Sequence, residues 1–443
     1  MLHFMQRRSL LGVALGGGLG ATAPLWRSLA TGLPLSWILG DRNSAFAAEG
    51  PEQFLIISLS QGGDPLNANA PGTYGLPDAY HNPAPEMVET PISLGGKMST
   101  AAKPWSTLPA WARERAVFFH HRTYTNAHPN FFKVLGLFGA AKSKTGSGGE
   151  MLPSLIASEV ATSLQTVQTE PVVLANIGAR LTFGGRVLGA AQPSSLAQIL
   201  GGAQPGMLKE LEALRQKDLA SVKAELDKSG TPAQKEFLDR HALSMNQLKD
   251  VRDRIGALLA AGDAWTNDAG GQINAAIAMF QLRLTPVVVV SIPFGGDNHA
   301  DPGLANEAAA TVSGVEAING LMSGLQTAGL QDKVTFATCN VFGRTLVKTR
   351  EGNGRNHNQN HHTTLMIGKG LKGGVVGGVV KLGTDFGAEG IDSATGAMNP
   401  AGDIKASETL ESMSKTLGKA MGVAPQALDA RIKGGKPVAA VLA

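Results

Sequence analysis

The 443-residue sequence predicts an α/β protein: a mostly parallel central sheet with helices on both faces and an inserted helical hairpin. Three observations predict it. Short continuous apolar runs rich in β-branched residues recur along the chain, separated by helix-patterned or loop segments. Polar clusters follow directly after several of these runs. Residues 207–262 alone depart from the pattern, with two apolar stripes at helical spacing.

The first run is Phe54-Leu55-Ile56-Ile57-Ser58-Leu59, bounded by Gly62-Gly63. It does not alternate, as expected of a strand buried on both faces. Residues 116–119, 172–174, 287–292, 334–337 and 365–367 repeat the form. Residues 308–330 read as a helix whose end is marked by Gly329. In the insertion, Leu208, Leu211, Leu214, Val222 and Leu226 make one stripe, and Leu248, Val251, Ile255 and Leu258 the other. Between them, Thr231-Pro232-Ala233-Gln234 has the form of a capping box with proline at the first helical position. Residues 142–149 and 371–403 are glycine-rich and read as loops.

The bulk composition narrows the function. Hydrophobic residues make up 43% and charged residues 17%, the balance of a globular protein with a sizeable core. The formal charge is +4, but residues 1–47 hold four Arg and one Asp, leaving 35 basic and 34 acidic side chains elsewhere. No domain-wide basic field remains, which argues against nucleic acid as a partner. The single Cys339 allows no intramolecular disulfide, and its apolar strand context predicts a buried, inert thiol.

The first 47 residues read as an export signal. Arg7-Arg8-Ser9-Leu10-Leu11 precedes a weakly apolar run, and Ala45-Phe46-Ala47 matches a small-x-small cleavage site. The paired arginines point to the twin-arginine route. Gly16, Gly17, Gly18 and Gly20 dilute the run, and Arg27 interrupts it before the roughly 20 apolar residues that spanning requires. The expected product is a periplasmic or extracellular domain over 51–443, with no stable membrane span after signal removal.

The expected chemistry lies at the strand exits. After the first run comes Ser60-Gln61-Gly62-Gly63-Asp64, and after the second His120-His121-Arg122-Thr123-Tyr124-Thr125-Asn126-Ala127-His128. Then follow Asp297-Asn298-His299-Ala300-Asp301, Phe342-Gly343-Arg344-Thr345 and Gly354-Arg355-Asn356-His357-Asn358-Gln359-Asn360-His361-His362. Parallel sheets collect ligands outside the carboxyl ends of their strands, so these clusters can converge. Carboxylates and neutral imidazoles bind divalent ions such as zinc, manganese or calcium, and an arginine forks onto an anionic oxygen pair. Asp64, His128, Asp297, His299, Asp301, His357, His361 and His362 are therefore the candidate ligands. Arg344 is the candidate anion clamp, and Thr123 and Thr125 are the hydroxyls within the second cluster.

This order of an early Asp, a His-bearing segment, Asp-x-His, Phe-Gly-Arg-Thr and Gly-Arg-x-His resembles an exported bacterial family. It is the 1501 domain of unknown function, of the alkaline phosphatase and sulfatase superfamily, and the resemblance spans residues 52–385. The resemblance implies the superfamily fold, a metal-centred site at Asp64, Asp297, His299 and His357, and Arg344 beside it. It also implies three departures: Val341 where the family has an acid, Asn356 where it has Asp, and Ala127 where it has Ser before His128. Thr123 or Thr125 would then supply the nucleophile, and His120, His121, His361 and His362 would replace lost ligands. The implied function is metal-dependent hydrolysis of phosphate or sulfate esters. The alternative is a catalytically degenerate envelope or surface protein that binds a partner or a glycan.

Overall fold

The computed structural model describes residues 53–137, 150–178, 180–200, 206–236, 238, 239, 256, 265–347 and 354–443. The leader, the loop at 142–149 and the second stripe of the insertion lie outside the described residues.

All six apolar runs are strands of one seven-stranded sheet. They are β1 (Phe54–Ser60), β2 (Ala116–His121), β3 (Val172–Val173), β4 (Val287–Val290), β5 (Val334–Asn340) and β6 (His362–Ile367), joined by β7 (Gly374–Val376). The order across the sheet is β7-β2-β6-β5-β1-β4-β3. β1 lies inside the sheet between β5 and β4, parallel to β4 (Leu55 opposite Val287) and to β5 (Phe54 opposite Val334). Successive residues of a strand face opposite sides, and the residues of β1, β4 and β5 are buried almost without exception, so both faces are covered.

Helices provide that cover. They include α1 (Leu152–Leu164), α3 (Ala269–Gln281), α4 (Ala305–Thr327) and α5 (Thr409–Ala420); a further helix, α2 (Gly206–Ser229), holds the first apolar stripe of residues 207–262. Gly329 follows α4 at φ 66°, and the Leu330 amide reaches back to the Leu325 carbonyl at 2.8 Å. That is the left-handed ending expected from the sequence. Among the described residues, no helix is long and apolar enough to cross a membrane.

Two expectations need correction. Residues 371–403 are not all loop: they hold β7 and a hairpin of Val379–Leu382 with Asp385–Ala388. The glycines that suggested a loop are the turns, with Gly377 at φ 71° and Gly383 at φ 62°, while the valines between them pair. The 365–367 run begins earlier, at His362, and β6 runs antiparallel to both neighbours, β2 and β5. Its amino end therefore lies at the edge where the parallel strands finish.

The first stripe of residues 207–262 lies on a helix, α2, and the capping box forms. The Thr231 amide donates to Gln234 Oε1 at 2.8 Å and the Gln234 amide to Thr231 Oγ1 at 3.4 Å. Leu214 and Val222 of its stripe are exposed. Cys339 is buried as expected, and burial pushes its thiol up to about 12.

Candidate metal centre

Four chain segments meet at the carboxyl edge of β1, β2, β4 and β5. The two arginine motifs fold on each other: Gly343–Arg344 and His357–Asn358 form a short antiparallel ribbon with Arg344 opposite His357. The Asn67 side chain clamps this ribbon like an extra strand, accepting from the Arg344 amide and donating to the Arg344 carbonyl, both at 2.8 Å. Phe342 is fully buried and seats two imidazoles, its ring centroid 4.1 Å from His357 and 4.9 Å from His128. Gly63, at φ 64°, passes so close that a Cβ there would stand 2.0 Å from the Phe342 ring.

Three histidines surround Asp297. The Nε2 atoms of His128 and His299 lie 3.5 Å from its two carboxylate oxygens, and Arg344 Nη2 lies 3.1 Å from Oδ1. Ligand atoms of His128, Asp297 and His357 all fall within 4.8 Å of one another. Each imidazole is fixed through its other nitrogen. His128 Nδ1 meets the Gln61 carbonyl at 2.7 Å, His357 Nδ1 the Asn126 carbonyl at 2.5 Å, and His299 Nδ1 the Asn356 Oδ1 at 3.0 Å. A carbonyl oxygen only accepts, so each Nδ1 donates its proton there and Nε2 is the ring nitrogen left for a further partner. His357 Nε2 is buried and has no hydrogen-bond partner.

Burial alone would raise the Asp297 carboxyl, but Arg344, His299 and His128 hold it below its ordinary value. Burial lowers His357, and the neighbouring Arg344 and imidazoles lower it further, keeping its ring neutral.

Other candidates stand elsewhere. Asp64 lies beneath the cluster, where its Oδ2 accepts from Asn340 Nδ2 at 2.7 Å; burial pushes its carboxyl up to about 6 against the Gly296 amide, Asn340, Arg344 and Ser60. Asp301 accepts from the amides of Asn306 and Glu307 at 2.9 Å, at the start of α4. Arg344 is no open clamp for an anion. Its side chain is wholly buried and donates to the carbonyls of Gly62, Gly63, Gly296 and Arg355 as well as to Asp297. The Thr123 hydroxyl donates to the Gln359 carbonyl, and Thr125 Oγ1 accepts from Ala127 and Asn130.

His361 and His362 do not join the cluster, nor do His120 and His121, because all four are core residues. In the antiparallel β2–β6 pair, His362 lies opposite His121. His120 and His361 stack at 5.1 Å and form one directed chain of hydrogen bonds. Asn67 Nδ2 donates to His361 Nδ1 at 3.1 Å, His361 Nε2 to His120 Nδ1 at 2.9 Å, and His120 Nε2 to the Pro71 carbonyl at 2.9 Å. Every ring nitrogen in that chain has a partner and none is left for a ligand.

Sequence reasoning missed the residues that orient the imidazoles: Gln61, Asn126 and Asn356. Two act through the backbone, which no side-chain pattern reports. Asn356 stood next to His357 in plain view and was read only as a lost acid.

No curated protein matches this chain. A family model described as "Protein of unknown function (DUF1501)" matches residues 152–394, more than half of the sequence. The matched region includes Asp297, His299, Arg344 and His357, with β4, β5 and the paired arginine motifs that shape the centre. The chain belongs to the DUF1501 family, whose function is unknown.

Proposed function

We propose that the protein binds one divalent metal ion through His128, Asp297, His299 and His357, as an exported member of the alkaline phosphatase and sulfatase superfamily. The carrying observation is the triple anchoring of Nδ1, which leaves three Nε2 atoms as the nitrogens available around one carboxylate. Histidines that ligate metals almost always donate their other ring N–H in this way. The unpartnered, buried His357 Nε2 supports the same reading. Three imidazoles and a carboxylate suit zinc or manganese better than calcium, which prefers oxygen alone.

The use we propose is hydrolysis of a phosphate or sulfate ester. A bound divalent cation supplies Lewis-acid polarisation of an ester oxygen. The protein's own part is to keep the His357 ring neutral and Asp297 ionised, and to hold the three imidazoles in place through Nδ1. The engaged hydroxyls of Thr123 and Thr125 favour water over a protein nucleophile. The same engagement, with the committed guanidinium of Arg344, supports a second reading: a relative that keeps its metal and binds a partner or glycan without turnover.

Wild-type protein dialysed against zinc or manganese is expected to retain the metal and to melt at higher temperature. Binding to the native state alone adds about 2.7 kcal/mol when the free metal is 100 times Kd. Asp297→Ala and His357→Ala should lower metal content and that gain together, whereas the exposed Glu159→Gln should change neither. A wild-type chain that takes up neither metal at saturation defeats the metal reading. Aryl phosphate and sulfate esters assayed with each metal separate hydrolase from binding protein.

A further inference from the structure

Beneath the proposed centre lies a buried ion pair that the metal reading does not use. The side chains of Glu307 on α4 and Arg355 are 0% and 1% exposed. They meet through Arg355 Nε to Oε2 at 2.7 Å and Nη2 to Oε1 at 3.2 Å. Arg355 also donates to the carbonyls of Thr345 and Tyr80. Charged groups so deep cost several kcal/mol to desolvate, so the pair calls for a reason beyond stability.

Its connections supply one. Asn298, which separates Asp297 from His299, donates its Nδ2 to Glu307 Oε2 at 3.1 Å. Its carbonyl accepts from the Arg355 amide at 3.1 Å, two residues before His357. The two ligand-bearing loops thus touch backbone to backbone. A Cβ on Gly354 would stand 1.9 Å from the Asn298 carbonyl oxygen and 2.5 Å from that of His299.

We propose that Glu307, Arg355 and Asn298, with the close approach at Gly354, form a brace that sets the spacing of Asp297 and His299 relative to His357. These are positioning residues, and the assignment rests on the metal reading above. Ion size and ligand spacing are then linked: the brace fixes where one imidazole stands relative to the other donors, and metal affinity depends on that distance.

The test is zinc and manganese affinity, by competition with a chromophoric chelator, in the full chain and three variants. Asn298→Ala leaves Glu307 paired with Arg355, and Gly354→Ala wedges the loops apart; both should fold and bind about 10–100-fold more weakly, as for lost outer partners of metal ligands. Asn82→Ala removes a different Glu307 contact, at 3.5 Å, away from the ligand loops, and should bind like wild type. A purely structural role would lower the metal-free melting temperature of all three without separating their affinities. If wild type binds and the first two variants bind within about twofold of it, the brace is refuted and the metal reading stands. If wild type binds neither ion, the metal reading fails and the brace goes with it.

Discussion

Glu307→Ala should cost about 3–5 kcal/mol of folding stability, seen as a large fall in the urea midpoint at unchanged slope. The cost comes less from a lost attraction than from what remains. Arg355 keeps its charge at 1% exposure with only carbonyl partners, and Asn298 Nδ2 loses its acceptor. Replacing both partners, as Glu307→Met with Arg355→Met, removes the stranded charge and should recover much of the loss. The two carbonyls that Arg355 serves limit the recovery. A loss below about 1 kcal/mol for the single variant would mean that water reaches the pair.

Acid should unfold the protein through its core histidines. Burial lowers His120 and His121 to about 4, and pushes His361 and His362 well below their ordinary value, with neighbouring imidazoles adding to the effect. Below about pH 6.5 the unfolded chain takes up protons that the folded chain refuses, so folding stability falls with pH, until about pH 4 for His120 and His121. Each such group contributes at most about 1.4 kcal/mol per pH unit. Asp64 acts in the opposite direction: with its carboxyl raised to about 6, its contribution is present in acid and lost as pH rises through that value. Asp385 and Glu411, also raised by burial, add to that opposition. Four imidazoles outweigh three carboxyls, so urea midpoints should fall steadily from about pH 6.5 to about pH 4.5. Equal midpoints at about pH 7 and about pH 5 would show that the rings are solvated or already charged.

Much of the sheet was legible because buried parallel strands are written as unbroken apolar runs. β1 and β4 start where the apolar runs start, at Phe54 and Val287, although β4 ends at Val290, two residues before its run does. β7 could not be read in this way, since its three residues sit among glycines that dilute any window average. The direction of β6 was hidden for a different reason: strand direction is set by which neighbour it pairs with, and the sequence of β6 fits either orientation. That one reversal separated the histidines. It turned His361 and His362 into core residues while leaving His357 on the approach to the strand, at the edge where Asp297 emerges. The convergence of Asp297, His299 and His357 followed from strand exits alone. The commitment of Arg344 to carbonyls did not, because an arginine in a motif looks the same whether it faces a ligand or the backbone.

The placement of β1 between β5 and β4 has a consequence for synthesis. Its partners are residues 287–290 and 334–340, so the first strand among the described residues is flanked only by strands made more than 220 residues later. At about 5–20 residues per second, Phe54 to Leu59 would wait on the order of tens of seconds for either neighbour. An apolar run with two unsatisfied edges is a template for pairing with other chains. Truncations that end before β5 should therefore aggregate, and a chain extended through β5 should be more soluble than one that stops before it.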